Sequence, residues 1–340
     1  MKPKLPLWAL VVVVLVVGVL LQVAIQVELL NAYIALILTY MCIMIISSLG
    51  LSIIYGFTGQ FSLGHAAFMG LGAYTAALIT HYGGVAPWTF AAALAGGGAL
   101  TAGVAYLVGL PIVRLRFDYL GIATLGFGII VRVLLENSDR VPVICVTTGA
   151  RGMTGIEQPA LIFLWAYLLL LVAIVVTRNL RFSSPGRACL SIREDEVAAN
   201  LMGINVVRYK TIAFVLGCGF AGIAGGLYAH TYLFLHPSSF DFIKSFDPLL
   251  IVVLGGLGSL SGTVVAGTAW VVVLEGLRMV LPGNVLEWRY VIYPVILIVM
   301  MLLRPQGLFG TSEFGVLRPT ETALPQPAAA PGAMTDGAHS

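Results

Sequence analysis

The chain has 340 residues, 59% of them hydrophobic and 10% charged, against roughly 45–50% and about 25% in soluble domains; this excludes an ordinary soluble enzyme. Eighteen basic and fifteen acidic residues leave a net charge of +3, too small a surplus to suggest nucleic acid as a partner. Mean hydropathy is +0.99 and the apolar excess recurs from block to block, so the organising unit is the membrane span of about 20 residues.

In chain order, Lys2 and Lys4 precede an apolar run over 5–27. That run outlasts the roughly 7–15 residues of a signal-peptide core and meets no small-x-small cleavage site, so it is read as a first span. Further spans are expected at 30–54, 62–80, 87–110, 119–136, 160–177 and 210–232, then three shorter ones at 248–258, 261–281 and 290–303. In hydrocarbon each must be a helix, which satisfies its own backbone. The expected fold is therefore an all-α polytopic membrane protein of about 8–10 helices. The 248–258 stretch is too short to cross about 30 Å at about 1.5 Å per residue, which leaves a re-entrant half-helix as an alternative there.

With the amino terminus inside, the cytoplasmic segments hold 12 of the 18 Lys and Arg residues. The bias predicts that both termini and the polar loop 178–209 are cytoplasmic. Residues 1–310 read as one transmembrane domain and the Pro/Ala-rich stretch 311–340 as a disordered cytoplasmic tail.

Several chemistries are missing. Lys210-Thr211 lacks the glycines of a nucleotide-binding P-loop, which would have to stand where Ile204 and Tyr209 do. The histidines 65, 81, 230, 236 and 339 show no ligand spacing, and no G-x-S-x-G turn occurs, so neither enzyme chemistry nor a cofactor is expected. Cys42, Cys145, Cys189 and Cys218 form no C-x-x-C pair and read as small buried residues, with no metal site. Glu275, three residues before Arg278, is the deepest ionisable candidate; it reads as a helix-end ion pair or as a coupling or substrate contact.

Two glycine-rich stretches stand out. Thr58, Gly59, Gln60, Ser62, Gly64 and His65 open the third span, and Gly255, Gly256, Gly258, Ser259 and Gly262 interrupt the region near 248–281. Glycine-broken spans in corresponding parts of two halves point to a pathway near the midplane, although tight helix packing explains the same glycines. In the polar loop, Ser184-Pro185-Gly186 reads as an N-cap followed by proline, and Gly203 as the terminator of one helix of about 16 residues. Leu190, Val197, Ala198 and Leu201 can share one face of it, with Arg193, Glu194 and Glu196 largely off that face. The run Glu194-Asp195-Glu196 would be repelled by an anionic leaflet, so the helix suits a groove on another protein.

Three stretches resemble a known family: G-F-T-G-Q-F-S-L-G-H-A-A-F-M-G-L-G-A-Y at 56–74, G-R-A-C-L-S-I-R-E-D-E-V-A-A-N-L-M-G-I-N at 186–205 and L-G-G-L-G-S-L-S-G-T at 254–263. They are similar to the LivH/LivM permeases of branched-chain amino-acid ABC importers, most closely the LivM type. The resemblance implies a non-catalytic permease subunit of the cell inner membrane, in contact with lipid. Its implied partners are a LivH-type sister permease, two cytoplasmic ATP-binding subunits of LivG/LivF type and a periplasmic substrate-binding protein. It further implies that Arg187, Arg193, Glu194, Asp195, Glu196, Ala198, Leu201 and Gly203 belong to the loop seated in an ATP-binding subunit. Similar permeases serve urea, amides and other amino acids, and a self-contained carrier or channel is the reading from a different class. One departure is that Cys189, Leu190 and Ser191 replace the family's usual L-R-A, removing a cation at position 190.

Overall fold

The computed structural model describes residues 7–115, 117–140, 147, 149–280 and, toward the carboxyl terminus, 295, 298, 299, 302 and 307–310. Its helices in chain order are α1 (Leu7–Gln26), α2 (Ala32–Leu51, continued by a π-helical turn at Ser52–Phe57), α3 (His65–Gly83), α4 (Pro87–Ile112), α5 (Phe117–Glu136) and α6 (Ile162–Phe182). They continue as α7 (Ser184–Glu194), α8 (Glu196–Leu201), α9 (Val206–Tyr232), α10 (Phe246–Gly255) and α11 (Leu260–Val280). Among the described residues strand pairing is confined to one bridge, Met153 with Leu235. The protein is thus an all-α polytopic membrane protein, as its composition requires.

Among the described residues five helical segments are long and apolar enough to cross a bilayer: Ala32–Phe57, Pro87–Ile112, Tyr119–Glu136, Ile162–Phe182 and Val206–Tyr232. Local chemistry sets several of their ends. The Asn205 side chain accepts from Arg208 N at 3.1 Å and starts α9, while Pro87 opens α4 where its missing N–H costs nothing. Asn31 caps α2 through Tyr33 N.

α3, α4 and α9 form the centre, with α2 packed against α9. Small residues make this possible, because in lipid helices associate by close van der Waals approach rather than by expelling water. A methyl on Gly97 would lie 2.9 Å from Gly72 O, and one on Gly50 2.5 Å from Gly217 O. Larger side chains fill the space left around these contacts, with Phe68, Phe90 and Phe214 almost fully buried.

Two expectations change. The third helix starts at His65 rather than 62, because Gly59 has φ +72 and the chain stays irregular to Gly64. The 248–258 stretch is not a crossing: α10 has 10 residues, about 15 Å of rise, and it turns back against α11. The expected span at 290–303, most of it, and the tail at 311–340 lie outside the described residues, as do Cys145 and the side chain of Arg278. Glu275 itself accepts a hydrogen bond from the Tyr33 hydroxyl at 2.8 Å.

Candidate functional site

At the first helix break the helix that continues α2 is closed at Gly59, which takes φ +72. Gly59 N and Gln60 N fold back on Tyr55 O and Ile54 O at 3.0 and 3.2 Å, and Thr58 Oγ1 donates to Ile54 O at 2.6 Å. The chain then passes through the protein interior, where Thr58, Gln60, Ser62 and His65 are all buried. Its backbone is held by side chains from elsewhere: Leu63 N donates to Thr124 Oγ1 at 3.1 Å and Ala66 N to Ser245 Oγ at 2.9 Å. His65 Nε2 sits 2.9 Å from Ser47 O.

At the second break, α10 stops at Gly255, and Gly256 and Gly258 take φ +104 and +80. The positive angles are what glycine supplies without penalty. Ser259 then accepts from Gly262 N at 3.1 Å and starts α11 as an N-cap. Gly255 and Gly262 press backbone on backbone across the turn.

These breaks meet. A methyl on Gly56 would lie 2.8 Å from Gly258 N, and one on Gly258 3.0 Å from Gly56 O. Not every predicted residue joins them: Gly64 packs on Thr124, His65 turns to α2, and the start of α3 meets Ser245.

The polar loop corrects the expectation of a single helix. α7 and α8 are separated at Asp195, whose backbone is extended (φ −154, ψ 112) and whose Oδ1 accepts from Val197 N at 2.8 Å and Ala198 N at 3.0 Å. An aspartate that can satisfy the first donors of a new helix competes with continuation of the old one. The cap of α7 is Ser183 rather than Ser184, with Ser183 Oγ accepting from Gly186 N at 3.2 Å. The split also divides the expected apolar face. Leu190 turns inward to Cys189, Ile53, Phe57 and Ala213, whereas Val197, Leu201 and Met202 are 70%, 84% and 82% exposed. Ala198 and Glu194 are exposed beside them. Gly203, at φ +82, closes α8. Between α8 and the turn after α4, at Arg114 and Leu115, lies an open groove of about 940 Å³.

The inner side of the loop is bonded into the breaks. Arg193 Nη1 donates to Gly56 O at 2.7 Å and to Leu257 O at 3.4 Å, while its Nη2 pairs with Glu194 at 2.9 Å. Arg181 donates to Gly258 O. Lys210 on α9 pairs with Glu196 at 2.6 Å, and its carbonyl accepts from Gln60 Nε2 at 3.2 Å. Thr58, Gln60, Arg193, Glu196 and Lys210 together border a cavity of about 160 Å³. Arg187 does not take part; it donates to Phe182 O at 2.8 Å at the start of the loop. Cys189, buried beneath the loop, has its thiol pushed up to about 11 by desolvation.

Four contributors, Gly56, Arg181, Lys210 and the Leu257 carbonyl, were not among the predicted site residues. Gly56 stood in the first glycine-rich motif and Arg181 among the loop cations, but neither carried a signal of its partner. Among the described residues no group of three or more His, Cys, Asp or Glu could hold a metal ion. The arrangement brings together two backbone breaks, polar groups at their junction, and an external loop tied to both.

Comparison with known proteins places the chain in a family. Residues 33–301 match the family described as branched-chain amino acid transport system / permease component. The chain is 37% identical over 304 residues to the high-affinity branched-chain amino acid transport permease LivM of Salmonella typhimurium, covering 79% of this chain and 68% of that one. It is equally similar to LivM of Escherichia coli, and 32% identical over 145 residues to LivH of Escherichia coli, covering 42% of this chain and 45% of LivH. No solved structure matches. The chain therefore belongs to the branched-chain amino acid transport permease family, as a multi-pass, non-catalytic subunit of the inner membrane.

Proposed function

We propose that this chain is the permease subunit of an ATP-driven importer of branched-chain amino acids. It forms the pathway with a LivH-type sister permease, receives its substrate from a periplasmic binding protein, and takes its drive from two cytoplasmic ATP-binding subunits. The breaks at 58–65 and 255–262 shape the route, and the loop 178–209 is cytoplasmic and couples it to ATP. One observation carries this reading: the loop has two unlike sides. Its inner side is bonded to both breaks, and its outer side leaves Val197, Leu201 and Met202 exposed beside an open groove.

Burying each of those apolar side chains against a partner is favourable by about 1.5–3 kcal/mol, whereas leaving them in water is not. A coupling free energy between ATP site and pathway needs a physical contact of this kind. Two substitutions test it in the assembled complex. Ala198→Glu places a charge in the docking face, and Gly203→Val puts a branched side chain at φ +82, each costing on the order of 1–3 kcal/mol locally. The expected result is normal membrane insertion and normal pairing with the sister permease. ATP-driven leucine uptake is lost, and so is stimulation of hydrolysis by loaded binding protein. Wild-type uptake and stimulation in both variants would remove the loop from the coupling role.

A further inference from the structure

Two arginines tie the loop to the breaks: Arg181 reaches the second, and Arg193 reaches both. Arg193 lies in the last turn of α7, and its Nη1 reaches Gly56 O at the end of α2 and Leu257 O in the turn after α10. Both acceptors are carbonyls at helix ends, where the backbone ladder leaves oxygen lone pairs over. A guanidinium suits such a position because its several N–H donors are held in one plane and its charge is permanent. The junction is made to admit it: a methyl on Gly258 would stand 2.9 Å from Arg193 Nη1 and 3.0 Å from Gly56 O. No side chain at 258 could share the space with that contact.

A second observation lies alongside. Gln60 is 3% exposed and borders the same cavity as Arg193, and its Oε1 has no hydrogen-bond partner among the described residues. A buried acceptor without a donor is costly and marks a place where an alternative arrangement can do better.

We propose that Arg193 is the latch of the gate at this end of the pathway, a positioning residue that pins the two breaks together while the route is shut. The proposal rests on the reading of α7 and α8 as the seat of an ATP-binding subunit. A displacement of α8 reaches α7 through Asp195 and withdraws one guanidinium from two carbonyls in one motion. The breaks then separate together, and the cavity under Gln60 joins the route. Gln60 Oε1, without a partner in the shut state, borders the same cavity as the donor that this motion frees.

The test uses the full complex with the sister permease, ATP-binding subunits and binding protein in proteoliposomes. Wild type is measured first, because absent ATP-driven leucine uptake there would refute the functional reading and not the latch. In a Gln60→Cys background without nucleotide, the rate of reaction with a membrane-impermeant maleimide reports opening. Arg193→Ala should raise that rate roughly tenfold, as expected for a local opening made easier by one lost anchor. In the otherwise unaltered protein, Arg193→Ala should make hydrolysis independent of loaded binding protein, with uptake per ATP falling. Arg193→Lys, which keeps a cation and several donors, should restore most of the protection and most of the stimulation. Should Arg193→Ala not assemble, Arg193→Gln, too short to reach both carbonyls, takes its place with the same expectation. Unchanged labelling, or faster labelling with fully regulated hydrolysis and uptake, would overturn the latch.

Discussion

Gly72 of α3 and Gly222 of α9 touch backbone to backbone, so that a methyl on Gly72 would run into the Gly222 carbonyl and Cα. The neighbouring contact is of the same kind, with Gly225 seated on the carbonyl of Met69. The centre of the bundle is therefore held at a separation that only hydrogen side chains permit, while the glycines at 59, 256 and 258 serve the different purpose of turning the chain.

This distinction predicts opposite outcomes for chemically identical substitutions. Gly225→Ala should destabilise the solubilised protein by about 1–3 kcal/mol, as overpacking does, because the obstructing atom is backbone. Gly103→Ala, on α4 with nothing within 4 Å of the added methyl, should be neutral or stabilising by up to about 1 kcal/mol. Thermal unfolding followed by loss of the monodisperse peak gives the comparison, and equal shifts for the two would refute the packing argument.

Cys189 supplies a pH prediction outside the membrane. Burial raises its thiol from an ordinary value of 9.0 to about 11, so the folded state favours the protonated form. The stabilisation is fully present below about pH 9 and is lost as pH climbs through about 11. With Cys42, Cys145 and Cys218 replaced by alanine, iodoacetamide at pH 8 should modify native Cys189 about a hundredfold more slowly than the unfolded chain, because the thiolate is the reactive species. Equal rates would mean that the site is open.

Orientation is tested by two exposed positions at opposite ends of α6. Asn200 lies on α8, and Thr154 lies in the segment between α5 and α6. The basic residues around α7 predict that this end faces the cytoplasm. In intact cells an impermeant maleimide should label Thr154→Cys and spare Asn200→Cys, with the order reversed in inverted vesicles. Labelling of Asn200→Cys from outside would turn the topology over.

Much of the fold was legible because a bilayer allows few solutions: apolar length alone marks α2, α4, α5, α6 and α9. The short stretch before Gly255 was readable as half a crossing by the same arithmetic. The split at Asp195 was not, since the apolar spacing of Leu190, Val197 and Leu201 suits one continuous helix and nothing local shows that Leu190 faces inward. Nor could the sequence show that Gly56 and Gly258 are neighbours or that Arg193 bridges them. A contact to a backbone carbonyl places no demand on the identity of the distant residue, so it leaves no complementary charge to find. Lys210 was read as part of an incomplete nucleotide motif and as one of the cytoplasmic cations, although its place is opposite Glu196.

The π-helical turn at Ser52–Phe57 bears on how this chain tolerates changes of length. A wider turn holds a surplus residue relative to an α-helix of the same rise, so deletion of one residue there can be taken up by a return to regular bonding. The same deletion among residues 39–51, buried with the exception of Met41, would rotate everything beyond it by about 100° and put its side chains out of register with the helices packed around them. The segment thus acts as an expansion joint, placed at the point where the helix gives way to the first break.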